Sequence, residues 1–451
     1  MRKVILFTLV VILVSSCGHA NRRDTEKVPQ KNDSTSTVLL VVKPTVNVYI
    51  ENSGSMDGYV TGRTEFKGAI RDLLVLLKYH YDEDSINVFF INQQINNHKS
   101  NTKIDIASFA TNIEMKWRDG QAKKLWQSTN LNQIFNMILG ETDNKTISIL
   151  FSDCIYSIHG STDAIGLLND EKSLTKDAFL SKWRNDNVPL ATTIVKMNSK
   201  FDGMYYPFTG DNNRFHFSGN RPYYFCVIAN QEILTDFNKN IKLEAGKIEG
   251  FENKYVLSSE DAKSSYYSVL QSTYNKGRFK PDRKVSKKDY IRGIEGVNLQ
   301  TSGGGCSRGK EEPLSFAVAV DFSNIQAEDD YLKNPANYTV ITNNFTIDSI
   351  ISVDKSKIKP NDWNRIAASN PTHIIILTAK TKAVSDVSFV LKKQMPQWVT
   401  NSNTEDDTDC SKLEGGKTFG LYYWVTGIAE AYETIYPNNK NFFECSISIN
   451  K

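Results

Sequence analysis

The chain has few cysteines, almost no net charge and no second long apolar run. Its six cysteines form no C-x-x-C pair and no Cys/His ligand spacing, which argues against a structural zinc site. Its 54 basic and 51 acidic residues leave a formal charge of +3, with no Lys/Arg-dense stripe, so nucleic acid is not an expected partner. After the first residues nothing is apolar enough to span a bilayer. A Gly-x-Ser-x-Gly elbow, a paired-histidine metal motif and an internal repeat are also missing. The six histidines (His19, His80, His98, His159, His216 and His373) are scattered and read as surface or core residues.

What is present begins with a leader. Arg2 and Lys3 precede the apolar run Val4–Val14, which Thr8 alone interrupts, and Ser15-Ser16-Cys17 follows. This is the pattern of a secretory signal, too short and wrongly flanked for a spanning helix. Leu13-Val14-Ser15-Ser16-Cys17 resembles a bacterial lipobox. That resemblance implies cleavage after residue 16 and a lipid on Cys17. Residues 17–37 then read as a polar tether, and the mature chain as an envelope lipoprotein, on the outer membrane by preference, that hangs from a membrane without crossing it. Cleavage takes the net charge from +3 to +1, because Arg2 and Lys3 are lost. Besides Cys17, five cysteines remain. Cys226 reads as a core residue, and a disulfide among Cys306, Cys410 and Cys445 is left open.

A length of 451 residues predicts more than one domain. Residues 38–245 alternate strands with helices. Strands are expected at 46–50, 86–91, 146–151, 191–197 and 222–229. Helices are expected at 65–81, from 131, at 173–185 and at 232–238. This alternation predicts an α/β unit with a doubly wound, mostly parallel sheet. Residues 246–313 read as a connecting region of weak periodicity. Residues 314–451 read as a β-rich, sandwich-like domain closed by an aromatic helix at 419–436. The run Glu405–Asp409 reads as a solvated acidic loop, with Ca2+ binding the less favoured alternative.

The stretch that organises the first unit is Val46–Met56. A short apolar strand runs into a loop with Glu51, Ser53 and Ser55 at every second position. A carboxylate and two hydroxyls at the carboxyl end of a strand form a hard-oxygen cradle suited to Mg2+, Mn2+ or Ca2+. Thr129 stands at the start of a helix, and Asp153 ends the strand Thr146–Phe151. Each residue also has a plainer reading. The serines would cap a helix, as would Thr129 or Asn130, and Asp153 would satisfy loop amides.

Ile50-Glu51-Asn52-Ser53-Gly54-Ser55-Met56, Thr129-Asn130-Leu131 and Leu150-Phe151-Ser152-Asp153 together resemble the von Willebrand factor A (vWA) domain over roughly residues 45–230. The resemblance implies a metal-ion-dependent adhesion site with Glu51, Ser53, Ser55, Thr129 and Asp153 as ligands. It also implies a protein partner that offers an acidic side chain to the metal. Two residues depart from the family. Glu51 replaces Asp and is one methylene longer, so it either reaches the ion directly or crowds it. Cys154 stands where Gly is common. The expected function is a non-catalytic, membrane-anchored binding module. The alternatives are a metal-assisted envelope hydrolase and a structural subunit with a degenerate site.

Overall fold

The computed structural model describes residues 43–450, apart from 94, 97–108, 110–112, 114–129, 159–162, 259–264, 301–310 and 343. Cys17, the tether through Thr37, Thr129 and Cys306 therefore lie outside the described residues. The chain is mixed α/β. Its first sheet holds seven strands: β1 (Thr45–Glu51), β2 (Ile86–Ile91), β3 (Ile95–Asn96), β4 (Thr146–Ser152), β5 (Leu190–Tyr205), β6 (Phe215–Asn230) and β7 (Phe251–Leu257). They lie in the order β3-β2-β1-β4-β6-β5-β7.

Only β1–β2 and β1–β4 pair in parallel. The ladders β2–β3, β4–β6, β5–β6 and β5–β7 are antiparallel. The sheet is thus mixed, not mostly parallel. The reason is local. No α-helix separates β5 from β6, and a short connection with Gly210 at φ 108° and one 3-10 turn, Asp211–Asn213, folds them into a hairpin of two 16-residue strands.

Helices cover both faces of this sheet. Named here are α1 (Asp57–Val60), α2 (Glu65–His80), α3 (Leu131–Glu141), α4 (Ala164–Asp186), α5 (Gln231–Asn240) and α6 (Leu421–Ile435). Phe66, Ile70, Leu73 and Leu77 recur at helical spacing and turn one stripe of α2 onto Val48, Ile149 and Phe225. Thr64 caps that helix by accepting from the Lys67 amide. On the opposite face α3, α4 and α6 share one apolar core with Tyr49, Leu150, Tyr224 and Ile228.

The helix at the far end of the chain therefore belongs to the first sheet. A small parallel ladder of β16 (Asn403–Thr404) and β17 (Thr418–Phe419) leads into it. Tyr432 Oη lies 2.9 Å from Thr192 Oγ1 of β5, and Tyr224 Oη lies 2.9 Å from Thr418 Oγ1.

The stretch 246–313 supplies strands to all three large sheets. Beyond β7 these are β8 (Tyr267–Val269), β9 (Arg278–Pro281) and β10 (Gly293–Asn298). Later strands are β11 (Ser315–Val320), β12 (Tyr338–Val340), β13 (Phe345–Ser352), β14 (His373–Ala379), β15 (Val387–Lys392) and β18 (Asn441–Asn450). They form the sheets β12-β15-β18-β10-β9 and β13-β14-β11-β8. Phe316, Val318 and Leu377 of the second share one core with Phe389, Phe443 and Ile447 of the first. All pairs are antiparallel except β10–β18. Cys154, Cys226, Cys410 and Cys445 are free thiols, so no Cys410–Cys445 bridge forms. Among the described residues no helix is long and apolar enough to cross a membrane.

Candidate functional site

Parallel pairing of β1 with β4 sets Ile50 opposite Phe151. Glu51 and Ser152 therefore end β1 and β4 side by side, and the loops that follow become neighbours. Asn52 and Asn92, both fully buried, fix the first loop to the end of β2 through a 2.8 Å side-chain bond. The Asn52 amide donates to the Ile91 carbonyl at 3.0 Å. Ser53 begins a short 3-10 turn but makes no side-chain cap; its hydroxyl lies 3.0 Å from Ser55 Oγ. The helix-capping alternative for this serine is thus not what the fold uses. It does apply at α3, where Asn130 accepts from the Gln133 amide at 3.0 Å.

The structure brings Glu51, Ser53, Ser55 and Asp153 together, all buried except the partly exposed Ser55. Ser152, not among the expected ligands, donates its hydroxyl to Glu51 Oε2 at 2.5 Å and accepts from the Cys154 amide at 2.8 Å. Cys154 has φ 51°, a left-handed conformation that explains why a Gly suits this position. Burial, and then the charge of Asp153, push the Glu51 carboxyl up to about 8.

The main residue that sequence reasoning missed is Arg221. It lies near the middle of β6, and only 3% of it is exposed. Its Nη2 stands 3.0 Å from Asp153 Oδ2, in an ion pair whose two side chains are 4% and 3% exposed. Its Nη1 reaches the Ser55 carbonyl at 3.5 Å. The rings of Tyr59, Phe201 and Tyr205 surround the guanidinium, with centroids at 5.4, 4.8 and 4.6 Å. The only sequence signal was a lone arginine at the mouth of an apolar strand.

These residues do not fit a resident divalent ion. Mg2+ takes about six oxygens in near-octahedral array, several of them waters, and needs a carboxylate free to join them. Here one oxygen of Glu51 accepts the Ser152 hydroxyl, while Asp153 is already held by the Arg221 guanidinium. The three histidines among the described residues each have another partner. His216 pairs with Asp202, His373 pairs with Asp329, and the His80 ring lies against Tyr79.

The acidic loop differs from its expected solvated form. Asp407 is fully buried and accepts from Tyr205 Oη at 2.8 Å and from the Phe208 amide at 3.0 Å. It thereby ties the late part of the chain to the aromatic wall around Arg221. Asp406 and Asp409 bond to Thr408 and Ser411 of the same loop.

Burial pushes the Asp407 carboxyl from 3.8 up to about 6. The unfolded chain loses this proton first, so folding stability falls as pH rises from about 4 to about 6. Asp407→Asn should flatten that part of the profile. Urea unfolding across this range should show the wild-type-minus-variant difference changing by about 3 kcal/mol. Parallel profiles would mean that Asp407 does not titrate in this way.

Comparison with family models, with curated proteins and with solved structures finds no match for this chain.

Proposed function

We propose that the chain is a lipid-anchored envelope protein whose vWA-like, doubly wound head is a non-catalytic protein-binding module. The observation that carries this reading is the placement of two loops side by side at the carboxyl ends of the parallel strands β1 and β4. Ligands of open α/β sheets bind at this edge, where the connections leave for opposite faces. Its rim is accessible: Ser55 and Asp57 are partly exposed, and Thr61, Gly62 and Arg63 are exposed. An acidic side chain of the partner would meet Arg63 and the Ser55 hydroxyl here, without a bridging metal. The sandwich-like β strands would carry and orient the head, and the lipid on Cys17 would hold it at the membrane.

A photo-crosslinking residue at Thr61 or Arg63, in the full-length protein in intact cells, tests the reading. Lys145, exposed in the turn that enters β4, is the control at the opposite sheet edge. A discrete protein adduct is expected from the rim positions only, and chelator should not abolish it. Equal labelling from both edges, or none from the rim, would remove the support.

A further inference from the structure

We infer that Arg221 is the resident cation of this loop face, joining the first loop to the Asp153 loop as a divalent ion would, so that the site is built without metal. The guanidinium contacts both loops: Nη1 meets the Ser55 carbonyl at 3.5 Å and Nη2 meets Asp153 Oδ2 at 3.0 Å. A planar fork of donors suits such bridging, because each arm can serve a different oxygen.

The position is built from several elements. Arg221 stands on β6, opposite Ser199 of β5. Tyr59 comes from α1, while Phe201 and Tyr205 come from β5. Aromatic faces attract a guanidinium and also screen it from water. The close approach of α1 to β5 holds this wall in place, since a Cβ on Gly58 would lie only 2.5 Å from the Phe201 ring. Tyr59 is anchored in turn by its hydroxyl, which donates to the Pro222 carbonyl at 2.5 Å.

The Asp153 carboxylate is already engaged. Asp153 and Arg221 already balance each other, and both are almost wholly buried. A divalent ion drawing on Asp153 would have to share that carboxylate with a fixed positive group in a poorly screened interior. The inference concerns what holds the two loops together, so it stands whether or not the rim binds a protein.

Thermal unfolding of the full chain in detergent, with Mg2+, Mn2+ or chelator, tests it. The wild-type midpoint should not move between these conditions. Arg221→Gln should lower the midpoint by several degrees in chelator, and Mn2+ should recover part of that loss by entering the vacated place. Arg221→Lys keeps the charge but not the fork, and should fall between wild type and the glutamine variant. Three results would overturn the inference: metal stabilisation of the wild type, a glutamine variant as stable as wild type, or a glutamine variant that Mn2+ leaves unchanged. If Arg221→Gln does not fold, the other arms decide. A metal-inert wild type with a folded lysine variant supports the inference. A metal-stabilised wild type, or a lysine variant that also fails to fold, overturns it.

Discussion

Asp153→Ala is expected to destabilise the protein by about 3–5 kcal/mol, the usual cost of stranding one member of a buried ion pair. The alanine would leave the Arg221 guanidinium without its carboxylate, and that side chain is only 4% exposed in the intact pair. Its remaining contacts, the Ser55 carbonyl at 3.5 Å and three aromatic rings, are too weak to replace a charge-assisted bond. The pair as a whole should contribute far less than this figure, because both groups lost their water on folding. Asp153→Ala combined with Arg221→Met should therefore recover much of the loss. Denaturant midpoints at unchanged slope would measure both effects. A single mutant within about 1 kcal/mol of wild type would mean that water reaches Arg221, as at an exposed pair.

The elements read correctly from the sequence are those whose signal is local. The stripe Phe66–Leu77 gives α2, Asn130 gives the start of α3, and the apolar run before Asp153 gives β4. The convergence of Glu51, Ser53, Ser55 and Asp153 was legible for the same reason: two strand ends, each marked by its own residues, become adjacent once β1 pairs with β4. Arg221 was hidden because its burial depends on Asp153, 68 positions away, and on aromatic residues from two other elements. No periodicity carries that information. The antiparallel half of the sheet was missed because alternation of strands and helices dominates the pattern as far as α4. The β5–β6 hairpin then breaks it within one turn. The burial of Asp407 was hidden by its acidic neighbours, which do face solvent.

The division of the chain near residue 245 is where long-range packing alters the reading most, and Trp424 is where it can be measured. Trp424 is fully buried in α6, between Phe135 of α3 at 6.3 Å and Tyr224 of β6 at 5.7 Å. Its loss would open a cavity among helices that cover one whole face of the first sheet. Trp424→Ala should cost about 3–5 kcal/mol. Trp424→Phe should cost much less, since the indole N–H has no hydrogen-bond partner among the described residues and phenylalanine keeps most of the ring contact. The form of the transition is as informative as its midpoint. Helix α6 lies between β17 and β18, and β18 is the central strand of the five-stranded sheet. Loosening α6 should therefore weaken both halves together, giving one lowered transition by calorimetry and by tryptophan fluorescence. Two separated transitions, with the half that melts first containing α6, would instead mean that residues 38–245 fold without the end of the chain. A fragment ending at residue 245 makes the same point directly. It would expose the faces of Tyr224, Cys226 and Ile228 that α6 and its neighbours bury, and it is expected to aggregate rather than fold.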